Sequence, residues 1–396
     1  MTTDFPAKKW ILPVIVVSQF LCTSLWFAGN AILPDLIKNF TVGPGFLANL
    51  TSAVQFGFIS GTLIFAVFTI ADRFSPSLIF FSCSIIAALF NLAMIINDIP
   101  AAVLMLSRFF TGFFLAGIYP VGMKIASDYF QKGLGKSLGF LVGALVLGTA
   151  FPHLLKSITA QLPWKYVIIT ISALAALGGL TMLLFVPDGP FRKPGQKLRL
   201  TAFASGFRNK NFRSAAVGYF GHMWELYTFW AFVPVMLAAH KNYYSTGLNV
   251  PLFSFLIIAC GSLACVASGL LSQRFAAKKI ATTALFLSCS CCLLSPFFLL
   301  GSSTLALLIF LFVWGSVVIA DSPLFSTLVA QNVAEEARGT SLTMVNCIGF
   351  SITIVSIQLL KILSQSIDAR YLYLILAIGP MIGLIALLRN KTEPDL

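Results

Sequence analysis

Charge is what this sequence holds least of. Only 10% of its 396 residues are Asp, Glu, Lys or Arg, where a soluble domain carries about 25%. A chain this poor in charge cannot cover a water-facing surface, so water is excluded as its main solvent. Acids and histidines are scarce, 13 and 3 against 26 Lys and Arg. No loop clusters carboxylates or imidazoles, so neither a catalytic centre nor a metal site is expected, and no cofactor is called for. The 8 cysteines form no spaced ligand set; all lie in apolar runs, and even Cys289, Cys291 and Cys292 read as small apolar fillers.

Hydrocarbon is abundant instead. With 58% hydrophobic residues and a mean hydropathy of +0.92, the chain has a lipid bilayer as its default environment. A helix needs about 20 mostly apolar residues to cross it. Twelve runs qualify: 10–36, 47–70, 78–96, 101–125, 138–155, 167–186, 215–239, 252–271, 280–300, 304–329, 342–360 and 371–388. None alternates like a strand, so they read as helical spans 1 to 12. The first is too long for a signal-peptide core and lacks a small-residue cleavage site, so it reads as retained.

Placing the N-terminus inside gathers eighteen Lys and Arg on the cytoplasmic side and leaves six outside: Lys38, Lys156, Lys165, Lys241, Lys361 and Arg370. That asymmetry puts both termini in the cytoplasm. The net charge of +13 is thus an orienting charge, and nucleic acid is not expected as a partner. The longest connection, 187–212, is polar, carries Pro187, Pro190, Pro194 and Gly195, and reads as a linker between two halves.

The halves repeat at a spacing of about 200 residues. Span 2 ends in Ala71-Asp72-Arg73-Phe74-Ser75-Pro76 and span 8 in Ser272-Gln273-Arg274-Phe275-Ala276-Ala277-Lys278-Lys279. Pro34 matches Pro234, Gly112 matches Gly315, Pro120 matches Pro323, and Gly135-Lys136-Ser137-Leu138 matches Gly339-Thr340-Ser341-Leu342.

These motifs resemble those of the major facilitator superfamily, whose loop after span 2 carries Gly-x-x-x-Asp-Arg-x-Gly-Arg-Arg. The first copy keeps Asp72 and Arg73 but has Phe68 at the leading glycine and Ser75-Pro76-Ser77 for the glycine and basic pair. The second keeps Gly269, Arg274, Lys278 and Lys279, with Gln273 at the acid position. Arg108 followed by Gly112 resembles the family's pattern in span 4. The resemblance covers essentially the whole chain. It implies an all-α membrane protein of twelve transmembrane helices in two pseudo-symmetric six-helix bundles, 1–186 and 213–396, with 187–212 as a cytoplasmic linker. It further implies a central cavity lined mainly by spans 1, 4, 7 and 10, alternating access by rocking, and a conformational latch of Asp72, Arg73 and Arg274. Asp72 is expected to meet the amide donors that open span 11 near Gly339. The family's drug-antiporter signature in span 5 is not well reproduced by Gly139, Gly143, Gly148 and Pro152, which counts against that class.

Charged side chains in hydrocarbon cost about 2.5–3.5 kcal/mol each, so each needs a partner or a task. Deep in the spans stand Arg108, Glu225 and Asp321, with the neutral titratable residues His153 and His222. On span 1, Gln19, Thr23, Trp26 and Asn30 form one polar stripe, either an interhelical seam or, as the resemblance implies, cavity lining. On span 4, Arg108, Thr111, Leu115 and Tyr119 fall within about 60° of one another, with Lys124 nearly opposite Arg108. Arg108 either holds an anionic group of a solute through its planar fork or neutralises a helix carboxylate. Trp314 joins this candidate cavity set from span 10. Glu225, one turn after His222, either carries a coupling proton, as desolvation of its charged form allows, or is permanently paired and ties helices together; Asp321 shares that choice. In the repeat register Glu225 aligns with Leu25 and Asp321 with Ile118, which leaves open whether either acid faces the cavity or a neighbouring helix.

The expected function is secondary active transport of a small organic solute across the cytoplasmic membrane by a monomer, with protons as coupling ion. Arg108 favours uptake of an anionic metabolite by symport; Glu225, Asp321 and the many phenylalanines favour the alternative, proton-coupled export of amphipathic or drug-like compounds. A membrane enzyme would need a catalytic cluster that the short external loops lack, and a transporter-like sensor would be expected to carry a signalling domain.

Overall fold

The computed structural model describes residues 9–40, 43, 45–130, 134–192, 200–301 and 303–390. Lys8, Lys132, Lys193, Pro194, Gly195, Lys197, Arg199 and Lys391, which belong to the basic set or the linker, lie outside these. The described residues are helical with no strand, as a chain that must satisfy its backbone inside lipid requires. Among the described residues, ten helices are long and apolar enough to cross a membrane: Phe46–Val67, Pro76–Ile95, Ala101–Tyr129, Ser137–Ile158, Lys165–Phe185, Val250–Leu271, Ala277–Phe298, Thr304–Gln331, Glu336–Leu363 and Leu372–Arg389. These are spans 2 to 6 and 8 to 12. Span 7 is one helix of 35 residues, Lys210–Tyr244, whose His222, Glu225 and several Tyr and Trp side chains make it less apolar than the rest. Its start at Lys210 shortens the linker read from sequence as 187–212; Asn209 caps it by accepting from Asn211 N and Phe212 N.

Span 1 differs from the single run read from sequence. It is broken into Ile11–Thr23, Ala28–Ala31 and Leu33–Phe40. Between the first two pieces the bonds shorten to three-residue steps, Leu25 N to Cys22 O and Trp26 N to Thr23 O, which releases carbonyls from the helical ladder.

Spans 4 and 10 break at matching places. Span 4 pauses between Ala101–Leu115 and Tyr119–Tyr129, and span 10 between Thr304–Ala320 and Ser322–Gln331. Pro120 and Pro323 sit in the first turn of each second piece, where a missing N–H costs least. Asp321 is the residue at the break in span 10, as Ile118 is in span 4.

The chain forms two compact units, one of Met1–Pro44 with Ala53–Lys197 and the other of Gly45–Ser52 with Leu198–Leu396. Each is held by a close helix crossing at the repeated glycine. A Cβ on Gly112 would lie 1.9 Å from Val54 O, and one on Gly315 would lie 2.3 Å from Ile257 O, so spans 2 and 4, like spans 8 and 10, touch backbone to backbone.

Candidate functional site

The second unit buries two acids among span 7 and its neighbours. Glu225 has no exposed surface. Its Oε1 accepts from Ser288 Oγ at 2.5 Å, Trp314 Nε1 at 2.6 Å and Cys292 Sγ at 3.2 Å. Ser288 and Cys292 stand four apart on span 9, so one helix face delivers both donors. The indole of Trp314 is fixed from two sides, by Phe229 at 4.7 Å and Phe310 at 5.4 Å between ring centroids, which aims its N–H at the acid. Oε2 of Glu225 has no hydrogen-bond partner among the described residues.

His222, one turn earlier, turns to the other acid. Its Nδ1 lies 2.7 Å from Asp321 Oδ1, with both side chains 1% exposed. His222 Nε2 and Asp321 Oδ2 are left without hydrogen-bond partners among the described residues. The break in span 10 puts Asp321 at the head of the helix Ser322–Gln331, whose positive end favours a carboxylate. The two acids therefore sit in different settings, Glu225 among neutral donors and Asp321 against an imidazole.

The first unit buries a cation. Arg108 is 1% exposed. Nη1 donates to Asn91 Oδ1 at 2.8 Å, and Nη2 donates to Leu25 O at 3.0 Å and Trp26 O at 2.8 Å. Those are carbonyls released by the break in span 1. Asn91 in turn donates to Ser172 Oγ at 2.9 Å, so spans 1, 3, 4 and 6 meet in one polar network. Nε of Arg108 has no hydrogen-bond partner, and none of the described acids is within ion-pair distance of it.

Around this network, Gln19 lies fully buried against Gly122, with neither amide atom hydrogen-bonded. Thr23 turns back to Gln19 O at 2.8 Å, and Thr111 to Ser107 O at 2.9 Å, both within their own helices. Trp26 packs on Phe58 at 4.9 Å. Asn30 is buried and Tyr119 half-buried. The structure thus gathers Trp26 and Arg108 in one unit, and Glu225 with Trp314 and His222 with Asp321 in the other. The pattern of the sequence missed Ser288, Cys292, Asn91 and Ser172. The four-residue spacing of Ser288 and Cys292 was the available signal.

At the end of span 2, Asp72 Oδ1 pairs with Lys124 Nζ at 2.9 Å, and Lys124 also lies 3.7 Å from Asp128. Arg192 pairs with Asp188 and donates to Asp72 O and Phe74 O. Arg73 and Arg274 are exposed.

A family model described as Major Facilitator Superfamily matches residues 15–357 and 215–396. Among solved structures, the human organic anion transporter MFSD10 (TETRAN) superposes with a TM-score of 0.75 at 14% identity, covering 96% of this chain and 100% of its own. The proton:xylose symporter XylE, bound to 6-bromo-6-deoxy-D-glucose, gives 0.76 at 11%, covering 96% of this chain and 95% of its own. At these identities the likeness shows the fold. Comparison with curated protein sequences gives no match.

Proposed function

Since the chain belongs to the major facilitator superfamily, whose members are transporters, we propose that this multi-pass membrane protein takes up an anionic organic solute by proton symport. It works by alternating access as a monomer in the cytoplasmic membrane, with both termini inside. The observation that carries the coupling is Glu225: a buried carboxyl with three neutral donors on one oxygen and an open second oxygen can take and release a proton without losing its place. The case for an anion rests on Arg108, a buried cation with none of the described acids beside it, whose field favours negative charge. Its fork is spent on carbonyls and Asn91, so attraction at a distance, rather than a two-pronged grip, is what it offers a solute. One similar structure is an organic anion transporter and the other a proton symporter, which supports both halves of the reading.

The test is a melting-temperature screen of purified protein against carboxylates, phosphate esters, sugars and amphipathic cations across pH, because a ligand of the folded state stabilises it. Any hit then goes into proteoliposome flux. An organic anion should stabilise the protein, and an inward proton gradient should drive its accumulation. If amphipathic cations alone stabilise it and leave against the proton gradient, the protein is an exporter.

The latch belongs to the same reading. Asp72 has its partner, Lys124, inside the first unit, so Asp72→Asn and Lys124→Met should shift the balance of open states in the same direction and slow transport while expression stays intact. Accessibility labelling that finds neither variant changed removes the latch.

A further inference from the structure

Glu225 differs from an ordinary buried carboxyl in how its partners are divided. Three donors converge on Oε1 and none reaches Oε2. An indole N–H can donate but never accept. A carboxyl oxygen offers about two acceptor directions, and Trp314 Nε1 at 2.6 Å, Ser288 and Cys292 already occupy those of Oε1, which leaves Oε2 as the oxygen with room for a proton. Resting on the proposal that Glu225 is the proton carrier, we infer that Trp314, Ser288 and Cys292 confine the transported proton to Oε2 and set the pH at which the site loads.

The division has a mechanical use. A carboxyl that could take its proton on either oxygen would have to rearrange its donors at each cycle. Here the bonds to Oε1 persist through loading and release, and only the unbonded oxygen, buried in this structure, gains and loses the proton when the cycle brings water or solute to it. The same three bonds hold the carboxyl still and strengthen when it ionises, because hydrogen bonds to a charged acceptor are about twice as strong as neutral ones. Trp314, Ser288 and Cys292 are thus positioning residues; the proton never resides on them.

The neighbouring charges leave this role to the donors. Span 7 carries His222, which is engaged with Asp321. Span 10 carries Asp321, which lies against His222, and span 9 carries the thiols Cys289, Cys291 and Cys292, of which Cys292 donates to Glu225. Cys265 Sγ of span 8 donates to Ile319 O at 3.5 Å, two residues before Asp321 in the chain. Spans 11 and 12 contribute no ionisable group that acts on Glu225 among the described residues, and no described cation pairs with it.

Infrared difference spectra of the full-length protein in proteoliposomes, titrated from acid to alkaline pH, test the inference. Glu225→Gln identifies the carbonyl stretch of the protonated acid by removing it. In Ser288→Ala and Trp314→Phe that band should move to higher wavenumber, and its pH midpoint should rise by about one unit, since a bond to a charged group is worth about one such unit or more. Cys292→Ala should do the same more weakly, the thiol being a weak donor. Cys292→Ser replaces it with a stronger donor and should move band and midpoint the opposite way, so a variant that merely loosens packing is told apart. A band that vanishes in Glu225→Gln but holds its position and midpoint in all the donor variants overturns the inference and leaves Glu225 as the carrier. No such band at any pH overturns the proton-carrier reading itself.

Discussion

Glu225→Gln should abolish accumulation of solute against its gradient while solute exchange across the membrane continues. Gln keeps the shape of Glu and offers Ser288, Trp314 and Cys292 an amide oxygen where Oε1 stood. Folding and solute binding are therefore expected to survive. What is lost is the change of charge, since the amide is fixed in the form that resembles the loaded site. Exchange needs no release of the proton and continues; accumulation needs release on every cycle and falls to equilibrium. Asp321→Asn is the control, because Asp321 is the other deep acid but has His222 at 2.7 Å. Full gradient-driven transport in Glu225→Gln together with its loss in Asp321→Asn would assign the proton to span 10. Retention in both would end the case for coupling through these acids.

The second large effect is expected at Arg108. Arg108→Met strands the buried carbonyls of Leu25 and Trp26 and the side-chain oxygen of Asn91. Each buried acceptor left without a donor costs about 1–3 kcal/mol, so the loss is on the order of 3 kcal/mol or more. Melting in detergent should show it as a clear drop. Arg108→Lys keeps the charge but replaces the fork with a point donor that cannot reach all three acceptors. It should melt between the other two while holding its affinity for an anionic solute, which Arg108→Met loses. Equal melting of wild type and Arg108→Met would show that span 1 keeps its break without the arginine.

The spans and the repeat were legible because lipid forces a simple code, apolar runs of fixed length with positive loops. Glu225, Asp321 and Arg108 stood out for the same reason, as charges where charges are costly. Their partners did not. Periodicity presumes an unbroken helix, and nothing between Ser24 and Phe27 marks a break, since no proline or glycine lies there. The carbonyls that occupy Arg108 were thus hidden, and its face looked free for a ligand. Cys292 read as filler because a thiol has the size of one; only the fold shows it aimed at an acid. Lys124, in the second piece of span 4, is the partner of Asp72.

The grip of Arg108 on span 1 is addressed to main-chain oxygen, which every residue type carries alike. Exchanging the side chains at Leu25 or Trp26 leaves those two acceptors in place, so positions 25 and 26 have no need to change in step with position 108 as relatives diverge. Contact maps inferred from correlated substitutions will pass over this junction, and a scan of side chains along span 1 will under-report it. From the side of span 1 it can be reached only by altering the backbone itself, for example by an ester in place of the amide after Leu25, which weakens the carbonyl and leaves every side chain as it was.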